Sequence, residues 1–174
     1  FAFLEPPHWL YRPHDEVRVA VHTQDAGERP LAVEGRLRVT RDAWAEIWID
    51  PLGREVSGPA LEKARAEGAI FAPPQPGKRG WNLKFRGYAH EEILSRLART
   101  AEDGAAELNF TPDREGYYRV SFSGDEDESY PVAAETTVWV SDGRTDDIGY
   151  RPGGVQIVAD TDSFRAGRKA AVML

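Results

Sequence analysis

Cysteine is absent from the 174 residues. That excludes a disulfide framework, a thiolate metal site and a cysteine nucleophile within this stretch. Long apolar runs are missing too. None approaches the ~20 residues that cross a bilayer, so no membrane-spanning segment is expected. Positive charge is in short supply, with 22 Lys and Arg against 29 Asp and Glu, a net −7. Such a surface does not attract a phosphate backbone, and nucleic acid is not expected as a partner. Only four histidines occur, His8, His14, His22 and His90, and they lack the close spacing of zinc ligands. No glycine-rich run ends in Gly-Lys-Ser/Thr, and no Gly-x-Ser-x-Gly elbow precedes a nucleophile. The residues therefore name no catalytic group, metal or cofactor, and the chain reads as no enzyme. The opening FAFLEPPHWLYRP lacks the basic start and apolar middle of a signal peptide, so the chain is expected to be a piece of a longer one.

What is present is alternation. In Thr100–Phe122, Asp103-Gly104 is a turn pair, after which Ala106, Leu108 and Phe110 alternate with mixed residues at the period of a strand. Thr111 to Gly116 contains Pro112, Asp113 and Gly116 and breaks the ladder; Tyr118, Val120 and Phe122 then resume it. Two antiparallel strands with a shared apolar side are the economical reading.

Upstream, Val17, Val19 and Val21 form an amphipathic strand, Leu37 and Val39 a returning one, and Ala43 to Ile49 a third with two tryptophans. Residues 50–87 interrupt the pattern for longer than an ordinary connection. Within them Ser57 is placed to cap a short helix over Pro59 to Glu67, stopped by Gly68, and the sheet resumes at Trp81. Ala89 to Arg99 has helix-forming composition but runs straight into the Asp103-Gly104 turn, and a hairpin needs a strand on both sides of its turn, so strand is preferred. Ala134 to Val140 is a further strand. The fold expected is all-β: an antiparallel immunoglobulin-like or macroglobulin-like β-sandwich of about seven strands with an irregular, partly helical insertion. Residues 1–141 would form it, 142–154 a linker, and 155–174 the first strands of a following domain of the same kind.

The two ends echo each other. Tyr11-Arg12-Pro13-His14-Asp15 before Val17 and Phe164-Arg165-Ala166-Gly167-Arg168 before Val172 each place an aromatic, an Arg and a turn ahead of a strand. A tandem array gives that echo; so does chance in a β-rich chain. Taken with Thr100-x-x-Asp103-Gly104-x-Ala106, Pro112-x-x-x-Gly116-x-Tyr118 and Val138-Trp139-Val140, the pattern resembles the macroglobulin-like domains of the alpha-2-macroglobulin family, especially bacterial ones. His14 stands where that family prefers Gly, and 50–87 lies outside the resemblance. The resemblance implies a non-catalytic structural domain of a protease-trapping endopeptidase inhibitor, secreted or periplasmic. Its partners would be neighbouring domains of the same chain and a target protease. Any membrane anchor, or the Cys-x-x-Gln thioester of many relatives, would lie outside this stretch.

Three other chemistries compete with that reading. Asp125-Glu126-Asp127-Glu128 has hard oxygen ligands for calcium but no EF-hand spacing, and a solvated acidic loop is the simpler reading. Trp9, Trp44, Trp48, Trp81 and Trp139 would make a sugar-stacking platform if two or more were exposed on one sheet face. A carbohydrate- or ligand-binding module is therefore the alternative function. Finally, Arg54, Lys63, Arg65, Lys78 and Arg79 lie among helix breakers and mark a possible protease-sensitive segment. Leu61, Phe71 and Trp81 argue instead for a packed insertion.

Overall fold

The computed structural model describes residues 1–69, 71, 79–124, 132–143, 149–150, 157–161, 165–167 and 169–173. In chain order its elements are β1 (Ala2–Glu5), β2 (Leu10–Tyr11), β3 (Val17–Thr23), β4 (Glu34–Ile49), β5 (Glu55–Ser57), α1 (Gly58–Ala66), β6 (Asn82–Arg99), β7 (Ala105–Phe110), β8 (Gly116–Gly124), β9 (Ala133–Val140), β10 (Val158–Ala159) and β11 (Val172–Met173). The chain divides into a larger unit, Phe1–Asp42 with His90–Leu174, and a smaller one, Ala43–Ala89. The fold is all-β and sandwich-like, with antiparallel sheets and no closed barrel. Apart from strands of two or three residues, β1, β3, β4, β6, β7, β8 and β9 build it.

In the larger unit one sheet runs β1-β3-β7 and the other takes β2, β9, β8 and the first part of β4 in that order. The period-2 pattern decides which face is buried. Val17, Val19 and Val21 of β3 and Leu108 and Phe110 of β7 turn toward Leu37 and Val39 of β4, Tyr118, Val120 and Phe122 of β8, and Val138 and Val140 of β9. Burying each such side chain contributes roughly 1.5–3 kcal/mol before chain entropy is subtracted. All the strand pairs of these two sheets are antiparallel except β2 with β9, where Leu10 sits opposite Trp139.

Two pairings differ from the sequence expectation. β7 and β8 share an apolar side across the core, but they do not pair: β7 pairs with β3, and β8 pairs with β4 and β9. Likewise the Asp103-Gly104 turn joins no hairpin, because β6 pairs with β4 and the chain changes sheets before β7. Alternation fixes which face is buried and leaves open which strand lies alongside. The preference for strand over helix in Ala89 to Arg99 holds, since that stretch is the second half of β6.

A buried brace anchors the crossover. The hydroxyls of Thr23 and Thr100 lie 2.8 Å apart, Thr23 donates to the Leu31 carbonyl at 2.5 Å, and the Val33 amide donates to Thr100 Oγ1 at 2.8 Å. Beside them the Thr23 amide donates to the Gly104 carbonyl at 2.9 Å. The Tyr118 hydroxyl donates to the Arg114 carbonyl at 2.9 Å, closing the turn before β8 in the manner of a tyrosine corner. His14 has φ 72°, a left-handed conformation that glycine adopts more cheaply. The Arg96 guanidinium caps the Glu107 carbonyl of β7 at 3.1 Å.

The smaller unit contains the second part of β4, with β5 and the first part of β6 each pairing with β4, plus α1. It is wider than the insertion expected at 50–87, because β4 runs on without a break from Asp42 to Ile49. Pro59 stands in the first turn of α1 and Gly68 follows its end at φ 82°. Ser57 occupies the N-cap position, but its side chain makes no capping hydrogen bond. Of the expected linker, 142–143 and 149–150 are described. In the stretch expected to open a following domain, β10 pairs with β11, and the Trp9 amide donates to the Asp160 carbonyl at 2.9 Å.

Candidate functional site: the inserted unit

The possible protease-sensitive residues fall in the smaller unit, and hydrogen bonds hold the side chains of two of them, Arg54 and Arg65. After β4 the chain reverses around Asp50, whose side chain is nearly fully buried. Its Oδ1 accepts the amides of Leu52 and Arg54, each at 2.9 Å, while its Oδ2 accepts Arg54 Nε at 2.8 Å. These bonds make an Asx-type turn in which one carboxylate fixes the loop and its arginine together. The Arg54 amide bond is the main reason the Asp50 carboxyl lies below its ordinary range; desolvation opposes the shift, and the Arg54 guanidinium and the Leu52 amide reinforce it.

A carboxyl whose folded pKa is lowered gives stability that is complete above the unfolded value, about 4, and is lost as pH falls through the lower folded value. Asp50→Asn is therefore expected to lower the urea midpoint at pH 6. The gap to the parent should shrink as the pH is taken down through the acid range. A gap independent of pH would show that the charge has no part in the turn.

Lys63 and Arg65 lie on α1. Lys63 is exposed and reaches Glu67 at 3.8 Å, a weak surface pair. Arg65 reaches both Glu62, at 2.6 Å, and Glu46 of β4, at 2.5 Å. Its guanidinium also stands 5.5 Å from the centre of the Phe71 ring. Glu46 is the junction: it accepts the Trp48 indole N–H at 3.2 Å and pairs with Arg86 of β6 at 3.1 Å. Burial disfavours its charge, yet bonds from Trp48 and Arg65 and the nearby Arg86 outweigh that and hold its carboxyl below the usual range. Phe71 packs between Trp48 and Trp81, at 4.7 and 4.8 Å between ring centres. Leu61 is buried under α1, and Lys84 pairs with Glu55. Arg79 is exposed at the rim of a small cavity with Ile49, Leu52 and Asn82. Lys78 lies outside the described residues.

In the larger unit the sequence reading missed Asp42. Its carboxylate is 1% exposed; Oδ2 takes Arg119 Nε at 3.0 Å and Nη2 at 2.7 Å, and Oδ1 lies 2.7 Å from His90 Nδ1. Arg119 also reaches Glu135 at 3.4 Å. The only local signal was an Asp in mid-strand, where that residue is disfavoured. The remaining histidines do other work. His8 bonds Asp160 at 3.0 Å, and His14 sits in a turn, its amide donating to the Pro112 carbonyl at 2.7 Å. Among the described residues no three His, Asp or Glu side chains are grouped so as to hold a metal. Asp125 to Glu128 lie outside the described residues.

Trp48 and Trp139 are buried, and Trp9, Trp44 and Trp81 are half-buried. Trp139 is covered by Tyr117 and Tyr150, whose ring centres lie 4.8 and 4.6 Å away. A cleft of about 510 Å³ in the larger unit is lined by Tyr11, Arg12, Asp15, Ser141 and Asp142 among others. Of its polar groups, Asp15 accepts the Arg12 amide and Ser141 donates to Glu115, both at 2.8 Å, whereas the buried Tyr11 hydroxyl has no hydrogen-bond partner among the described residues. No described helix is long and apolar enough to cross a membrane.

No family model and no curated protein matches this chain. Among solved structures it is similar to the sporulation control protein Spo0M from Bacillus subtilis, at 13% identity over 80% of this chain, with a TM-score of 0.32. This chain covers 49% of that one. A likeness of that size carries no weight for fold or function.

Proposed function

We propose that this chain is a non-catalytic, macroglobulin-like module of a protease-trapping inhibitor in a secreted or periplasmic setting, and that its work is positional. The observation that carries this reading is the role of the residues on which the resemblance rests. Thr100 and Gly104 join the crossover to β3, Tyr118 closes the turn before β8, and His14 takes the left-handed conformation at the position where the family prefers glycine. All are devices for holding backbone. Opposed to a sugar-binding platform, no tryptophan of the five is exposed.

The test uses the whole protein that carries the module. Mixed with trypsin, it is expected to block digestion of casein while a small chromogenic peptide is still cleaved, the signature of a caged protease. Equal cleavage of both substrates overturns the reading. Sequencing the first cut also separates bait from packed insertion. A cut within Arg54 to Arg79 marks the insertion as bait. An insertion that resists while cleavage occurs elsewhere acts as scaffold, as the bonds of Arg54 and Arg65 favour.

A further inference from the structure

The chain carries two Asp-Gly pairs, Asp103-Gly104 and Asp142-Gly143, and no Asn-Gly. This dipeptide has a chemistry of its own. With no side chain to shield it, the glycine amide nitrogen can attack the aspartate Cγ and close a five-membered imide. The fold treats the two pairs differently.

At Asp103-Gly104 the ring cannot close without dismantling the crossover. Gly104 is buried, its amide donates to the Ala101 carbonyl at 2.9 Å, and its own carbonyl accepts the Thr23 amide at 2.9 Å. Asp103 Oδ1 reaches past the glycine to accept the Ala105 amide at 3.0 Å. Both reacting atoms are held in other bonds, and rotating the peptide between them breaks the contact with β3.

Asp142-Gly143 lies just past β9, with both residues exposed. Gly143 has φ 75° and nothing within 4 Å of its would-be Cβ. Its amide donates to Ser141 Oγ at 3.1 Å, an exposed bond that water replaces at little cost. The Asp142 amide is pinned to Glu115 Oε1 at 2.8 Å, on the strand side of the reacting peptide. Chemistry on a folded backbone proceeds from the locally opened state, and that state lies low in free energy here and high at Gly104.

We propose that Asp142 is a site of spontaneous isoaspartate formation and that the fold protects Asp103. The Gly143 nitrogen bonds to Asp142 Cγ, and one carboxylate oxygen leaves as water with the amide proton and a proton from solvent. A second water then breaks the bond between that nitrogen and the main-chain carbonyl carbon of Asp142. The chain now runs through the side chain, one methylene longer, and a free α-carboxylate keeps the charge unchanged. The path out of β9 is re-aimed at that point. The exposed product is of the class that an S-adenosylmethionine-dependent isoaspartyl methyltransferase esterifies. None of this depends on the protease-trapping reading, and either can fail alone.

Ageing the folded chain for several weeks at neutral pH and body temperature tests it. Methyl transfer from labelled S-adenosylmethionine by an isoaspartyl methyltransferase measures the product, and electron-transfer fragmentation of peptides locates it. Isoaspartate is expected at position 142 several-fold above position 103. In urea the two pairs should react alike, since nothing then holds Gly104. Asp142→Glu, which would need a six-membered ring, should remove most of the methyl acceptance while its circular dichroism melt stays that of the parent. Equal amounts at 103 and 142 in the folded chain overturn the proposal, as does a folded chain unreacted at 142 when the urea sample has reacted at both. A preference for 142 that persists unchanged in urea also overturns it, because the sequence and not the fold would then set it.

Discussion

Gly104→Ala is expected to lose on the order of 3–4 kcal/mol of stability, a large share of what a single domain has to lose. Two costs combine. Gly104 has φ 73°, a conformation that costs a residue with a Cβ roughly 1–2 kcal/mol. The added Cβ would also stand 2.3 Å from the Thr23 carbonyl oxygen and 3.4 Å from Pro30 Cα. Both neighbours are backbone, so relief means shifting strands, which adds about 1–3 kcal/mol. A chain of this length should melt ~10 °C lower. Gly53→Ala is the control, because Gly53 has φ 84° and nothing within 4 Å of its would-be Cβ. Thermal melts of the pair separate strain from close approach. If both variants melt at the same temperature, the contact with Thr23 carries no cost.

Arg119→Ala is expected to destabilise by about 3 kcal/mol, the lower end of the range for stranding one partner of a buried pair. The lower end applies because His90 still bonds Asp42 Oδ1, and because Arg119 itself is 38% exposed. Asp42 at 1% exposure has no water to replace the two lost bonds. Asp42→Asn in the same background should recover part of the loss, giving a coupling of ~1–3 kcal/mol in a double-mutant cycle read by urea unfolding. Strict additivity of the two changes would mean that Asp42 and Arg119 do not act as a pair.

The strands were readable where one face meets the core. Val17, Val19 and Val21, or Tyr118, Val120 and Phe122, declare a buried side by spacing alone. Which strand lies beside which was not readable, because β3 takes its partner from beyond residue 100 and no local rule selects it. The start of the smaller unit was hidden for a related reason: Asp42, Ala43 and Trp44 continue one ladder, and the change of neighbours leaves no turn residue behind. Composition did predict α1. The link from α1 to the sheet through Glu46 required knowing that Arg65 and Arg86 converge on one carboxylate. The five candidate cleavage residues were found as a cluster in sequence. Their bonding, which separates Arg54 and Arg65 from Arg79, is a property of the folded chain.

The register of the central strand also bears on how the protein is made. Val17 sits opposite Phe110, and His22 opposite Ala105. A ribosome that adds about 5–20 residues per second delivers the second of these partners on the order of 5–20 s after the first. During that interval one edge of β3 has no strand to pair with, and the backbone groups along it bond to water until β7 emerges.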